Sequence, residues 1–251
     1  MFQEQPPLLP LPAPPVEGRR WRAVDLLFGA ALLVAGYLAV AAVVIAVSGG
    51  NQASEREPGV ALLLAAATLC FEVWIGALVL LLARRRGLAL RDLGFHRPRD
   101  WGLVAFTVLG AYGAVIGYSL LIAGIEALTG ADLGRLNQGN GLPSTVGSSP
   151  LVWATLGVAV MIAAPLCEEL FFRGLVFRAL AALRGPVTGI VVSGVAFALV
   201  HFNVSVVVPF AAIGMIFAWS YRTSGSLWTT IAAHAIFNTI SFVLTLAGAA
   251  R

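Results

Sequence analysis

Long apolar runs, parted by short polar breaks, make up most of the chain: Val24–Val47, Val60–Ala83, Gly102–Leu128, Leu151–Leu183, Val187–Phe202, Ser205–Tyr221 and Leu227–Ala247. Apolar residues occupy every face of these runs rather than one stripe, and the alternation of a membrane β-barrel strand is absent. Since about 20 residues cross a bilayer as a helix, the pattern predicts an all-α, polytopic membrane protein. The fourth run is too long for one span, and Pro165 stands where it could kink or split it. The expectation is therefore seven or eight transmembrane helices in one domain, residues 23–251. The first run is too long for the core of a cleavable signal and reads as a full span. Ahead of it, residues 1–22 carry Pro6, Pro7, Pro10, Pro12, Pro14 and Pro15, which predicts a disordered tail.

Composition agrees with this class. Of 251 residues, 59% are hydrophobic and 11% charged, whereas a soluble domain carries roughly a quarter charged residues. The net charge of +4 comes from 16 arginines and no lysine. Most of those arginines sit between the apolar runs, so basicity reports orientation, and no nucleic-acid partner is expected. Arg19, Arg20 and Arg22 precede the first run, and Arg84, Arg85, Arg86, Arg91, Arg97 and Arg99 follow the second. The segment between them, with Glu55, Arg56 and Glu57, is slightly acidic, and Thr129–Pro150 is neutral. The positive-inside rule then places the N-terminus and the 84–101 loop in the cytoplasm of a plasma-membrane protein, with Arg178, Arg184 and Arg222 on the same side. Cys70 and Cys167 both lie in apolar runs, so neither a disulfide framework nor a CxxC-type metal site is expected.

The polar exceptions inside these runs carry the chemistry. Ionisable groups within a bilayer cost a few kcal/mol each even on lenient scales, so they are rare without a role. Glu168, Glu169 and Arg173 interrupt the fourth run. Glu169 and Arg173 are four apart and share a helix face, where they can pair. Glu168 is rotated by about 100° and has no partner in its own turn, which leaves it free to act as a base. A polar network that only fixes packing is the alternative. His201 ends the fifth run, and His234 and Asn238, again four apart, share a face of the last. Each alone reads as a packing residue. With the glutamate pair they supply a base, a second proton carrier and hydrogen-bond donors, the parts needed to activate water and hold an oxyanion. Such a reaction centre is expected inside the helix bundle.

Glu168-Glu169-Leu170-Phe171-Phe172-Arg173 fits EExxxR, Phe197 to His201 fits FxxxH, and His234 to Asn238 fits HxxxN. In this order, on successive apolar runs, they resemble the CPBP family: type II CAAX prenyl endopeptidases, bacteriocin-processing enzymes and Abi-type membrane proteins. The resemblance covers residues 150–248, and the first three runs carry no motif. It implies an intramembrane endopeptidase acting on a membrane-associated protein or peptide. Glu168 with His201 would activate water, His234 with Asn238 would hold the oxyanion, and Glu169 with Arg173 would be the supporting pair. Two chemistries stay open under the resemblance. One is a glutamate mechanism without a cofactor, which is the expectation here; the other is a zinc peptidase with Glu168, His201 and His234 as ligands.

Other readings also stand at this point. Intramembrane Glu and His make relays in proton-coupled transporters, although no inverted repeat is visible. A catalytically silent scaffold or immunity-type protein would keep the fold, although every motif residue is present here. Cys167 beside Glu168 allows a thiolate mechanism to be drawn, but a cysteine in apolar surroundings is usually inert. Glu72, in the second run, could line the substrate cavity or receive a proton, or be buried against a helix dipole or a serine. His96 reads as solvated or facing lipid headgroups. The lysine-free, Ala-, Arg- and Gly-rich composition suits a GC-rich prokaryote, where prenylated tails are not the expected substrate.

One geometric expectation needs no family. Glu168 and His201 lie about equally far, roughly 24 Å, from the helix-breaking Arg184-Gly185-Pro186 turn. A hairpin there brings them to one depth, within about 5 Å or bridged by one water. His234 sits close to the Thr223-Ser224-Gly225 turn, so its helix must start deeper or tilt to reach them.

Overall fold

A computed structural model of the protein describes residues 20–49, 57–98, 100–138 and 149–249. All but the end of the expected tail, residues 1–22, lies outside the described residues, as do Glu55 and Arg56. Among the described residues there are seven α-helices and no strand: α1 Ala23–Ser48, α2 Pro58–Arg85, α3 Trp101–Thr129, α4 Pro150–Arg184, α5 Pro186–Leu199, α6 Val204–Ser224 and α7 Leu227–Ala249. All except α5 are long and apolar enough to cross a membrane, which gives six candidate spans. The protein is thus an all-α polytopic membrane protein, and the six spans fall short of the seven or eight expected.

The shortfall has two causes. The fifth run yields the short α5, whose 14 residues fall below the ~20 of a full span. The fourth run is not split: α4 is one helix of 35 residues. Pro165 has no N–H to give, and a regular helix would break there. Instead α4 widens into a π segment at Ala159–Ala163, where the Ala164 N–H donates to the Ala159 carbonyl five residues back. This looser ladder carries the chain through the proline. A second π segment spans Leu170–Phe177 and contains Arg173.

Small residues then set the helix crossings. Gly185, at φ 88°, closes the turn between α4 and α5. Where α5 meets α6, a Cβ on Gly214 would sit 2.8 Å from the Gly194 Cα, so the two backbones touch and only glycine fits.

The arginine-rich ends of the helices gather at one face of the bundle. Asp25 at the start of α1 pairs with Arg86 at the end of α2, at 2.9 Å. Arg178 donates to the Tyr221 hydroxyl at 2.9 Å, which donates to the Leu93 carbonyl at 2.8 Å. The Leu227 N–H donates to the Gly94 carbonyl at 2.7 Å, and the Ser226 hydroxyl donates to the His96 carbonyl. Leu227 is fully buried under this segment, so α7 does begin below the surface, and His234 is carried inward.

Candidate active site

Glu169 and Arg173 lie on the inner face of α4 and are wholly buried. Arg173 Nη1 donates to Glu169 Oε1 at 2.8 Å, and Nη2 donates to the Gly214 carbonyl at 3.0 Å. The guanidinium also lies 4.9 Å from the ring centre of Phe197 and 5.3 Å from that of Phe217, a cation–π setting that favours a charge removed from water. Three elements therefore hold this one arginine. The i, i+4 spacing reveals the glutamate, but not the α6 carbonyl or the aromatic walls, because those depend on how α5 and α6 cross.

His234 completes the arrangement. Its Nδ1 lies 3.1 Å from Glu169 Oε1. A carboxylate only accepts, so Nδ1 is the donor and Nε2 faces the other way, 3.9 Å from Glu168 Oε2. His201 is oriented by its own backbone. Its Nδ1 donates to the Phe197 carbonyl at 2.8 Å, leaving Nε2 free, and the ring stacks edge-on to Phe210 at 4.6 Å. Asn238 Nδ2 donates one hydrogen to the Val160 carbonyl at 2.9 Å, within the first π segment, and keeps a second.

Glu168, His201, His234 and Asn238 all line one cavity of about 610 Å³, whose remaining walls are mostly apolar residues of α2, α3, α4, α6 and α7. Glu169 and Arg173 do not line it and stand behind it. Glu168 Oε2 is buried without a hydrogen-bond partner. Glu168 and His201 face the same cavity; no direct hydrogen bond or ion pair joins them, and the imidazole paired with Glu168 is that of His234. Here α5 ends at Leu199, and His201 lies in the turn beyond it. The next residue, Phe202, has φ 49° and stacks on Tyr37 of α1 at 4.2 Å. A bulky residue with positive φ is uncommon and marks a constrained turn, which no sequence signal disclosed.

The remaining candidates fall elsewhere. Cys167 faces Gly76 of α2 and does not line the cavity. Glu72 of α2 does line it. Among the described residues no three His, Cys, Asp or Glu side chains are arranged to hold a metal ion. Glu168, His201 and His234 do not form such a group in this structure.

A stretch of 85 residues is 31% identical to a protein of Bacillus subtilis (strain 168) named "Putative membrane peptidase YdiL"; it covers 34% of this chain and 35% of that protein. The matched stretch thus spans about a third of the curated relative's length. No solved structure matches. The family model described as type II CAAX prenyl endopeptidase Rce1-like matches residues 150–240, which hold every cavity-lining motif residue. Over residues 150–240, then, the chain is similar to the Rce1-like type II CAAX prenyl endopeptidases.

Proposed function

We propose that the protein is an intramembrane endopeptidase that hydrolyses a peptide bond of a membrane-associated protein or peptide. The observation that carries this reading is the make-up of the cavity. A carboxylate with an unpartnered oxygen, two imidazoles and an amide share one largely apolar chamber, while the ion pair that orders them is sealed behind it.

In this reading a water sits between Glu168 and the free Nε2 of His201, and Glu168 takes its proton as oxygen attacks the scissile carbonyl. Asn238 offers its second amide hydrogen to the developing oxyanion. His234, anchored through Nδ1 by Glu169, adds an Nε2–H donor when the ring carries both protons. Preorganised donors of this kind, in a chamber shielded from bulk water, are the usual source of large rate gains. The clustering of arginine-rich helix ends on one face supports the placement of that face, and of the N-terminus, on the cytoplasmic side of a plasma membrane.

The test is proteomic. Membrane peptides are compared between wild-type cells and cells carrying Glu168→Ala or His201→Ala. Loss of a general base lowers rate by roughly 10²–10⁴, so both variants should accumulate the same uncleaved substrate. Purified in detergent, both should still melt as the wild type does. Near-full cleavage by Glu168→Ala would overturn the assignment.

A further inference from the structure

Glu72 lies outside the matched segment, near the middle of α2, and the mechanism above leaves it unused. It is 7% exposed and lines the same cavity as Glu168, and its Oε2 is buried without a hydrogen-bond partner. An unsatisfied buried polar atom is costly, so a carboxyl kept there answers to something that enters the chamber. Its position is fixed by helix contact. One turn further along α2, a Cβ on Gly76 would lie 2.7 Å from the sulfur of Cys167, the neighbour of Glu168. This close approach of α2 to α4 brings Glu72 to the same cavity as Glu168. Among the described residues no arginine lines the cavity, so neither carboxyl has a cation to pair with there except His234 or His201. Two carboxyls facing one apolar chamber are the standard means of supplying an acid and a base to a single bond.

Resting on the peptidase reading, we propose that Glu72 is the general acid of the reaction, which protonates the leaving amine. The water oxygen bonds to the scissile carbonyl carbon, and its proton passes to Glu168. The C–N bond then breaks, its electron pair stays on nitrogen, and nitrogen takes a proton from the Glu72 carboxyl. The proton on Glu168 returns to Glu72 through the chamber. One water is consumed, and one carboxylic acid and one amine are formed.

The experiment compares leaving groups. The peptide that accumulates in Glu168→Ala membranes is resynthesised with its scissile amide intact and as a thioester, whose thiolate departs without a proton. Glu72→Gln, which keeps size and polarity, should cut the amide roughly 10²–10⁴ more slowly but the thioester at close to the wild-type rate. Glu168→Ala should lose both. Glu72→Asp retains a carboxyl and should recover part of the amide activity; it serves as the test variant if Glu72→Gln does not fold. Equal losses by Glu72→Gln on amide and thioester would show a merely structural role and overturn the proposal. An unchanged amide rate would also overturn it. Failure of the wild type to cleave either substrate would instead sink the peptidase reading, and this proposal with it.

Discussion

At the residue scale, one oxygen joins the support pair to the reaction centre: Glu169 Oε1 accepts from Arg173 at 2.8 Å and from His234 at 3.1 Å. Breaking a buried pair by removing one partner typically costs about 3–5 kcal/mol, because the other charge is left stranded. Glu169→Gln and Arg173→Met should each lower the melting temperature in detergent. The double variant should regain part of that loss, since no uncompensated charge remains. Its activity should stay low, because glutamine does not hold His234 as a charged acceptor does. Strictly additive melting losses would show that the two residues are not coupled. The i, i+4 spacing makes the Glu169–Arg173 pair legible from sequence. The third member is not, because His234 reaches Glu169 only through the depth at which α7 begins, and that is set by Gly94 and His96, more than a hundred positions away. Local periodicity carries no information about such a contact.

At the scale of elements, the π segments of α4 explain both what the sequence misled about and what the site depends on. Pro165 predicts a break, yet the widened turn before it keeps the helix whole. Widened turns loosen the regular carbonyl ladder, and here side chains from outside α4 dock on them. Asn238 of α7 donates to the Val160 carbonyl, and Trp21, ahead of α1, donates through Nε1 to the Gly174 carbonyl at 2.8 Å. Trp21 is nearly buried, so Trp21→Phe keeps most of the packing and removes the donor. An acceptor orphaned in the interior costs about 1–3 kcal/mol. We therefore expect a measurable loss of thermal stability from Trp21→Phe, together with faster amide exchange along residues 170–177. Exchange unchanged in that segment would show that the second π segment is held without Trp21.

At the scale of the whole molecule, the apolar runs, the class and the basic face were readable because bilayer length and arginine placement are properties of the sequence itself. The part played by α1–α3 was readable only at Glu72, an ionisable residue in an apolar run that does line the cavity; nothing in the sequence pointed to the Tyr37 ring that stacks on Phe202. Zinc content is a property of the whole purified protein. A zinc ion needs three protein ligands converging at about 2.0–2.2 Å around one point. Here no three-ligand group forms among the described residues. Purified active protein should contain well under one zinc per chain by elemental analysis, and cleavage should survive strong chelators. If zinc were found at one per chain and lost together with activity, Glu168, His201 and His234 would have to move together on binding it, and Glu168 would be a ligand rather than the base.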